Sequence, residues 1–573
     1  MKKTAIVILP ALMSFVFALT GCTGDNNGNE VEKDMAATFR DAYAEILEMD
    51  AADITKDNYL EYADMVDSAV MMFSLLSSGA KKELASEKVK LDALSEKIGE
   101  FRDEKIIFFI APNGNDSNPG TKAAPFKTIG RAEQVVRPGG TVYIRGGTYM
   151  VQETEIADRV NLSATVPAVY VFNCSQSGSP TAPIKYIAYP GDPRPVFDLS
   201  NVQPAGARVY VFRVNGSNRQ FKGFDVIGTW VPELSTNTQS ICFYNDGGSS
   251  NLYENLVMRD GAGIGFYLRA GSNNLVLNCD AYNNYAKLAS DNRNGNVDGF
   301  GMHPVSTSAG TGNVFRGCRA WLNSDDGFDL IHSFSAVTID NCWSFLNGYG
   351  DDPLGTTTGP ALPGGGNMQL RNLGDGTGIK AGGYGMDGTG PFPTLSAVPR
   401  HTVQFCLSFF NRNRGFYANY HLGGINWYNN TAYQDAHNFN MRNRQGTEVD
   451  GSGRGNEVDG YNHEMINNLS YAPRSGGRII AQLNIERSTL LNNSFGFPMK
   501  QGSAWVLMPE IEITDADFIS LDWTEMKKPR KADGSLPDIN FMRPVPTSQL
   551  VDAGRVIPGF AYKGARPNLG CFE

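Results

Sequence analysis

Residues 312–330 read GNVFRGCRAWLNSDDGFDL, and two short patterns inside this stretch recur along the chain. The first is Cys, any residue, Ala or Ser, an aromatic, any residue, Asn. It begins here at Cys318 and returns as CDAYNN from Cys279, CWSFLN from Cys342 and CLSFFN from Cys406. With Asn in place of Cys it continues as NLVMRD from Asn255, NTAYQD from Asn430, NLSYAP from Asn468 and NSFGFP from Asn493. Successive starting points lie 24, 39, 24, 64, 24, 38 and 25 residues apart. A period near 24 with insertions in some turns predicts a solenoid of β-coils, because no single coil can bury its inner face alone.

The second pattern is DGFD at 326–329, matched by DGFG at 298–301, TGIK at 377–380, RGFY at 414–417 and HNFN at 437–440. Its third position is apolar throughout: Phe300, Phe328, Ile379, Phe416 and Phe439. These read as inward side chains, and strand alternation then sends the fourth position outward. Gly301, Asp329, Lys380, Tyr417 and Asn440 are thus expected in one exposed column. Coils stack about 4.8 Å apart, so Asp329 and Lys380 should be neighbours despite their sequence separation.

The rest of the chain frames this solenoid. The 63 glycines and 11% aromatic content of the 573 residues suit many short strands and turns. A net charge of −10 argues against nucleic acid as a partner but permits an acidic polysaccharide if a cation mediates the contact. Seven cysteines follow Cys22, an odd number, and four share one coil position. Parallel side chains on adjacent coils are poorly aimed for a disulfide, so free, buried thiols are expected.

At the N-terminus, Lys2, Lys3, an apolar run from Ala5 to Leu19 and LTGC ending at Cys22 read as an export signal. LTGC resembles the bacterial lipobox, which implies lipidation of Cys22 and an anchored protein at the outer membrane, cell surface or periplasm. Residues 32–104 change to Ala, Glu, Lys, Leu and Met with helical periodicity, broken at Ser77, Ser78 and Gly79. A hairpin or three-helix spacer is expected there, with its Met and Leu stripe as core. The expected organisation is residues 1–22 signal, 23–104 helical spacer, 105–510 β-solenoid and 511–573 a tail packing on it.

Asp325, Asp326 and Asp329 place three carboxylates within five residues, which needs compensation by water or a cation. The repeat alignment sets Asp298 one coil from Asp326, so four carboxylates converge on one patch, and Ca²⁺ is the hard cation such oxygens favour. Asp-Gly pairs are ordinary turn residues, and a Lys in a Gly-rich turn is ordinarily solvated. Their shared register is what sets these apart.

The stretch quoted first, together with GIKAGG, resembles polysaccharide lyase family 9. FFIAPNGNDSNPGTKAAPFKTIGRAEQVVRPGGTVYIRGGTY at 108–149 looks like the entry segment of right-handed parallel β-helix lyases, and the C-terminal DAGRVIPGFAYKGARPNLGCFE looks like the family's tail. The resemblance covers Lys105 to Glu573. It implies a mainly β fold, a right-handed parallel β-helix, here with an N-terminal α-helical region. It implies calcium held by Asp298, Asp325, Asp326 and Asp329, and Lys380 as Brønsted base.

The implied reaction is β-elimination of a 4-linked galacturonate polymer, homogalacturonan or rhamnogalacturonan I, by a monomeric enzyme. Calcium beside Lys380 would lower its pKa, and Asp329 would raise it. Arg412, Arg414, Arg442 and Tyr417 are candidate substrate contacts, since guanidinium forks match a uronate carboxylate. His303, His332 and His421 are read as structural or as subsite contacts. The long turn from Gly348 to Asp375 and the segment RNRGFYANYHLGG depart from the family pattern. Two other classes use the same fold: a polygalacturonase-type hydrolase, which needs an acid–base pair and no Lys380, and a non-catalytic glycan-binding lipoprotein.

Overall fold

A computed structural model describes residues 28–55, 58–101, 106–163, 166–231, 239–286, 296–305, 310–384, 398–449, 455–508 and 511–573. The signal segment 1–22 with Cys22, and most of the insertion LASDNRNGNV at 288–297, lie outside the described residues.

The chain divides into two compact units, one of residues 107–550 with 569–572 and the other taking in the N-terminal helices and residues 551–568. In the first unit the chain visits three sheets in rotation, of 12, 10 and 11 strands among the described residues. Each strand pairs in parallel with the strand one coil before and one coil after it, apart from the antiparallel strand Asp158–Ser163 that ends the third sheet. This is the parallel β-helix that the repeats predict.

Five strands of the third sheet carry the second pattern: β1 (Phe300–Met302), β2 (Phe328–Asp329), β3 (Ile379–Lys380), β4 (Arg414–Tyr417) and β5 (His437–Asn440). Phe300, Phe328, Ile379, Phe416 and Phe439 pair in register and are wholly buried. The Phe300 and Phe328 rings stack at 5.0 Å, as do Phe416 and Phe439 at 4.8 Å. Such ladders fuse one coil's apolar face to the next, which is where a solenoid gains stability.

The fourth-position column also forms in register, Gly301, Asp329, Lys380, Tyr417, Asn440. It faces away from the core as expected, but it is not exposed: Asp329, Tyr417 and Asn440 keep only 5%, 3% and 5% of their surface. Neighbouring groups cover it, with the His303 ring against the Asp329 carbonyl and the Arg414 guanidinium over Tyr417.

The glycine of the pattern has a packing cause rather than a turn cause. A Cβ on Gly327 would collide with Ser344 Oγ and stand 2.7 Å from Gly378 O, and one on Gly378 would stand 2.7 Å from Gly415 O. Only a bare backbone lets the first-pattern strands, with their small Ala320, Ser344 and Ser408, approach this closely.

The first pattern explains itself the same way. Its final Asn builds a ladder in which Asn284, Asn323, Asn347 and Asn411 donate in turn to the next coil, ending on Asp435. The preceding position turns the corner in the left-handed conformation, with φ of 54° at Leu322, 59° at Leu346 and 52° at Phe410. One alignment is corrected. Val257 pairs with Asp280, and the Leu256 N–H donates to Cys279 Sγ, so Leu256 and not Asn255 occupies the cysteine position. The seven cysteines from Cys174 to Cys571 are free and buried.

The fourth-position aromatics stack outside the second sheet, Tyr282 on Trp321 at 4.1 Å and Trp321 on Phe345 at 5.3 Å. Tail residues cover this face. Trp523 and Phe541 meet Phe409 at 5.8 and 5.2 Å, and Arg530 joins Arg319 on Asp280. The tail is divided, since residues 511–550 and 569–572 belong to the β-helix and 551–568 to the other unit.

That other unit contains helices Gly28–Ala42, Tyr59–Leu75 and Ala85–Phe101 with two shorter ones, Ala44–Leu47 and Ser78–Glu83. The break at Ser77 is a cap, its hydroxyl accepting from Ala80 N–H. Phe39, Val66, Met72, Leu91 and Leu94 form its core, so the Met and Leu stripe is structural. Among the described residues no helix is long and apolar enough to cross a membrane.

Candidate active site

Two successive coils deliver the carboxylates. Asp298 precedes β1 and Asp325 and Asp326 precede β2, and the register brings them together: Asp326 N–H donates to Asp298 Oδ1 at 3.1 Å. Candidate ligand oxygens of Asp298, Asp325 and Asp326 all lie within 4.8 Å of one another. Backbone donors hold the cluster open. Asn296 N–H and Asp375 N–H bond the two oxygens of Asp325 at 3.1 and 3.2 Å, and Thr377 N–H bonds Asp326 Oδ1 at 2.7 Å.

Lys380, on the next coil, reaches back to this cluster. Its Nζ lies 2.6 Å from Asp326 Oδ2 and 2.9 Å from Asp329 Oδ2, with 13% of the side chain exposed. Lys380 therefore pairs with both Asp326 and Asp329, while the carboxylates whose oxygens come within 4.8 Å of one another are Asp298, Asp325 and Asp326. The other oxygen of Asp329 accepts from Ile331 N–H at 2.7 Å, and His303 Nε2 lies 3.1 Å from the Asp329 carbonyl. Lys380 is thus oriented by two carboxylates at the edge of the cluster.

The electrostatics follow from burial. Desolvation, then the neighbouring carboxylates, push Asp298 well above the usual carboxylate range; desolvation also raises Asp325, and Asp326 to about 8, against the opposing pull of Lys380. For Lys380, burial opposes the charge, but Asp326, Asp329, Asp325 and Asp298 outweigh it and hold the ammonium well above its ordinary pKa. One lysine faces four carboxyl groups, which it cannot by itself hold ionised together. His303 is driven down to about 4 by burial, so it is a neutral imidazole.

The candidate substrate residues divide. Arg414, one coil beyond Lys380, lies 4.2 Å over the Tyr417 ring and 3.5 Å from the Asp375 carboxylate. Arg442 bonds Tyr420 OH at 2.8 Å and pairs with Glu457 at 3.1 Å. Both keep part of the side chain exposed, 25% for Arg414 and 32% for Arg442. Arg412 instead ties its guanidinium to the Gly374 carbonyl and anchors the long 348–375 turn. His421 is buried between Tyr384 N–H and the Pro399 carbonyl, a structural residue. His332 occupies a left-handed turn, φ 59°, after β2.

Three contributors escaped the sequence reading, Asn296, Asp375 and Thr377, because each acts through its backbone N–H. The only signal for them was proximity in sequence to Asp298 and Lys380.

Comparison with known proteins gives a consistent picture. The sequence profile described as "Pel9A-like, right handed beta helix region" matches residues 108–463. Pectate lyase L of Dickeya dadantii is 31% identical over 479 residues, 82% of this chain and 91% of the relative. A solved rhamnogalacturonan lyase superposes with a TM-score of 0.67 and 45% identity over 77% of this chain and 96% of its own. Pectate lyase Pel9A superposes with a TM-score of 0.56 and 29% identity over 82% of this chain and 96% of its own.

Proposed function

The chain belongs to the Pel9A-like right-handed β-helix family, polysaccharide lyase family 9, and from that premise we propose that it cleaves the rhamnogalacturonan I backbone by calcium-dependent β-elimination at galacturonate, with Lys380 as base. The observation that carries the reading is the placement of Lys380 Nζ, 2.6 and 2.9 Å from Asp326 and Asp329 and directly beside the three-carboxylate cluster. The choice of rhamnogalacturonan I over homogalacturonan leans on the 45% identity to a rhamnogalacturonan lyase against 31% to a pectate lyase.

The cluster fits calcium. It offers hard oxygen donors alone, and burial first, then the neighbouring carboxylates, raises Asp298 so far that the group would ionise together only with a further cation beside it. Asp298, Asp325 and Asp326 would hold the ion, with Asp329, also paired with the lysine, beside them as the fourth carboxylate. Bound there, calcium would neutralise the charge that keeps Lys380 protonated and would withdraw electron density from the substrate's uronate carboxylate. Neutral Lys380 Nζ takes the C5 proton, the freed electron pair forms the C4=C5 double bond, and the C4–O4 bond breaks. The departing O4 takes a proton from water. Asp329, fixed through Ile331 N–H, aims the amine, while Arg414 and Arg442 are placed for carboxylates further along the polymer.

A lipid anchor at Cys22 belongs to the same reading, supported by the LTGC sequence; it would tether the enzyme at the membrane or cell surface. The test is to incubate the protein with each polymer and follow absorbance of the unsaturated product. Product should form from rhamnogalacturonan I, cease in chelator and return with Ca²⁺. Full activity in chelator with saturated, hydrolytic products would move the protein to the hydrolase class.

A further inference from the structure

Upstream of the carboxylate cluster, four consecutive coils turn the same corner. Ala262 N–H donates to Thr229 O at 2.7 Å, Tyr285 N–H to Gly261 O at 2.9 Å and Ser324 N–H to Asn284 O at 2.9 Å. Trp230, Ala262, Tyr285 and Ser324 therefore follow one another along the helix axis, and Asp325 comes next in the chain. A cavity of about 280 Å³ opens at this corner, lined by Trp230, Val231, Ala262 and Tyr285, with Asp260 and Asn283 also in its wall.

Beneath it, Val231, Ala286 and Val297 are buried, with Ala262 packed on them, as an apolar cluster separate from the main core. This floor reaches the carboxylates directly, since Asp325 N–H donates to Val297 O at 3.1 Å and Asp298 follows Val297.

We infer that this cavity binds the apolar face of a 6-deoxyhexose, the sugar next to the galacturonate held at the carboxylate cluster. The inference rests on the proposed rhamnogalacturonan reading and deepens it. The backbones that carry Trp230 and Tyr285 stand about 10 Å apart, with only Gly261 and Ala262 at this corner of the coil between. The cavity between those coils has room for one pyranose ring.

A deoxyhexose presents a methyl group where a uronate presents a carboxylate. The apolar floor of Val231, Ala262 and Val297 gains by burying the methyl group and would leave a carboxylate without a partner. Arg371, 5.7 Å from the centre of the Tyr285 ring, is half exposed, lies 3.8 Å from the Asp352 carboxylate and is not among the residues that line the cavity. Asp260 and Asn283, bonded to each other at 2.6 Å, supply acceptors and donors for the sugar hydroxyls.

The experiment compares the full chain with Ala262→Phe, which fills the slot, and Tyr285→Ala, which removes one wall. Steady-state kinetics on rhamnogalacturonan I and homogalacturonan are measured in saturating Ca²⁺, with a calcium titration for each variant. KM for rhamnogalacturonan I should rise about tenfold or more, the scale of one methyl group in an apolar pocket. The calcium midpoint should not move, and preference over homogalacturonan should fall by the same factor. Should Ala262→Phe fail to fold, Tyr285→Ala decides.

Wild type cleaving rhamnogalacturonan I while the folded variants keep its KM would overturn the slot and leave the proposed function standing. An equal loss on both polymers would overturn the deoxyhexose in favour of a uronate. Product from homogalacturonan alone, or from neither polymer, would remove the premise and the slot's ligand with it.

Discussion

Lys380→Ala tests the base and the cluster at once. The lysine is nearly enclosed, its Nζ 2.6 Å from Asp326 and 2.9 Å from Asp329. Losing a general base costs about 10²- to 10⁴-fold in turnover, or roughly 3–5 kcal/mol at about 1.4 kcal/mol per tenfold. The same change removes the cation from a buried group of carboxylates. Breaking a buried pair by deleting one partner costs on the order of 3–5 kcal/mol. Part of that is recovered where a carboxylate takes up a proton instead, and Asp298, pushed well above the carboxylate range, and Asp326, raised to about 8, are both placed to do so. The fold should therefore be destabilised in chelator, more at high pH than at neutral pH, and the difference from wild type should shrink in saturating Ca²⁺.

Lys380→Arg separates the two effects. It keeps the charge, so it should restore stability in chelator, but its guanidinium holds its proton and should leave turnover near that of the alanine variant. Turnover is read from absorbance of the unsaturated product and stability from thermal unfolding with and without Ca²⁺. Retention of more than about a tenth of wild-type turnover by Lys380→Ala, against the expected loss of at least about 100-fold, would place the base elsewhere. An arginine variant of full activity would do the same.

Asp326→Asn keeps the size but removes a charge and turns a donor toward Lys380; calcium affinity should fall by tenfold or more, with activity partly regained at high Ca²⁺, and an unshifted calcium titration would remove Asp326 from the ligand set. Asp435, at the end of the asparagine ladder, is raised by burial to about 7 against 3.8 unfolded, so the folded state binds the proton more tightly and stability is lost as pH rises from about 4 through 7, by up to about 4 kcal/mol. Asp435→Asn should match wild type near pH 4 and melt at higher temperature at pH 8; melting curves that stay parallel across this range would refute the assignment. Gly327→Ala forces a Cβ into Ser344 Oγ and should cost about 1–3 kcal/mol by overpacking, read by denaturant unfolding, whereas a neutral result would return the glycine to an ordinary turn role.

The sequence by itself determined the coil and much of its chemistry. In a solenoid each residue lies over its counterpart one period away, so spacing in the chain becomes distance in space. That is why the inward row Phe300, Phe328, Ile379, Phe416 and Phe439, the contact of Asp298 with Asp326 and the pairing of Asp329 with Lys380 were all legible in advance. The same logic fails wherever the period breaks.

One residue fewer between Leu256 and Cys279 than the aligned Asn255 implied shifted a whole coil's register, which only the ladder of hydrogen bonds reveals. The long turn ending at Asp375 brings a backbone N–H to Asp325, and no side-chain pattern announces a backbone donor. Alternation says that Asp329 and Lys380 point outward, but whether outward means wet is decided by what packs alongside, and here the neighbours cover them. The slot between Trp230 and Tyr285 exists because the intervening coil carries only Gly261 and Ala262 at that corner, and a missing side chain becomes a cavity only once the coils are stacked.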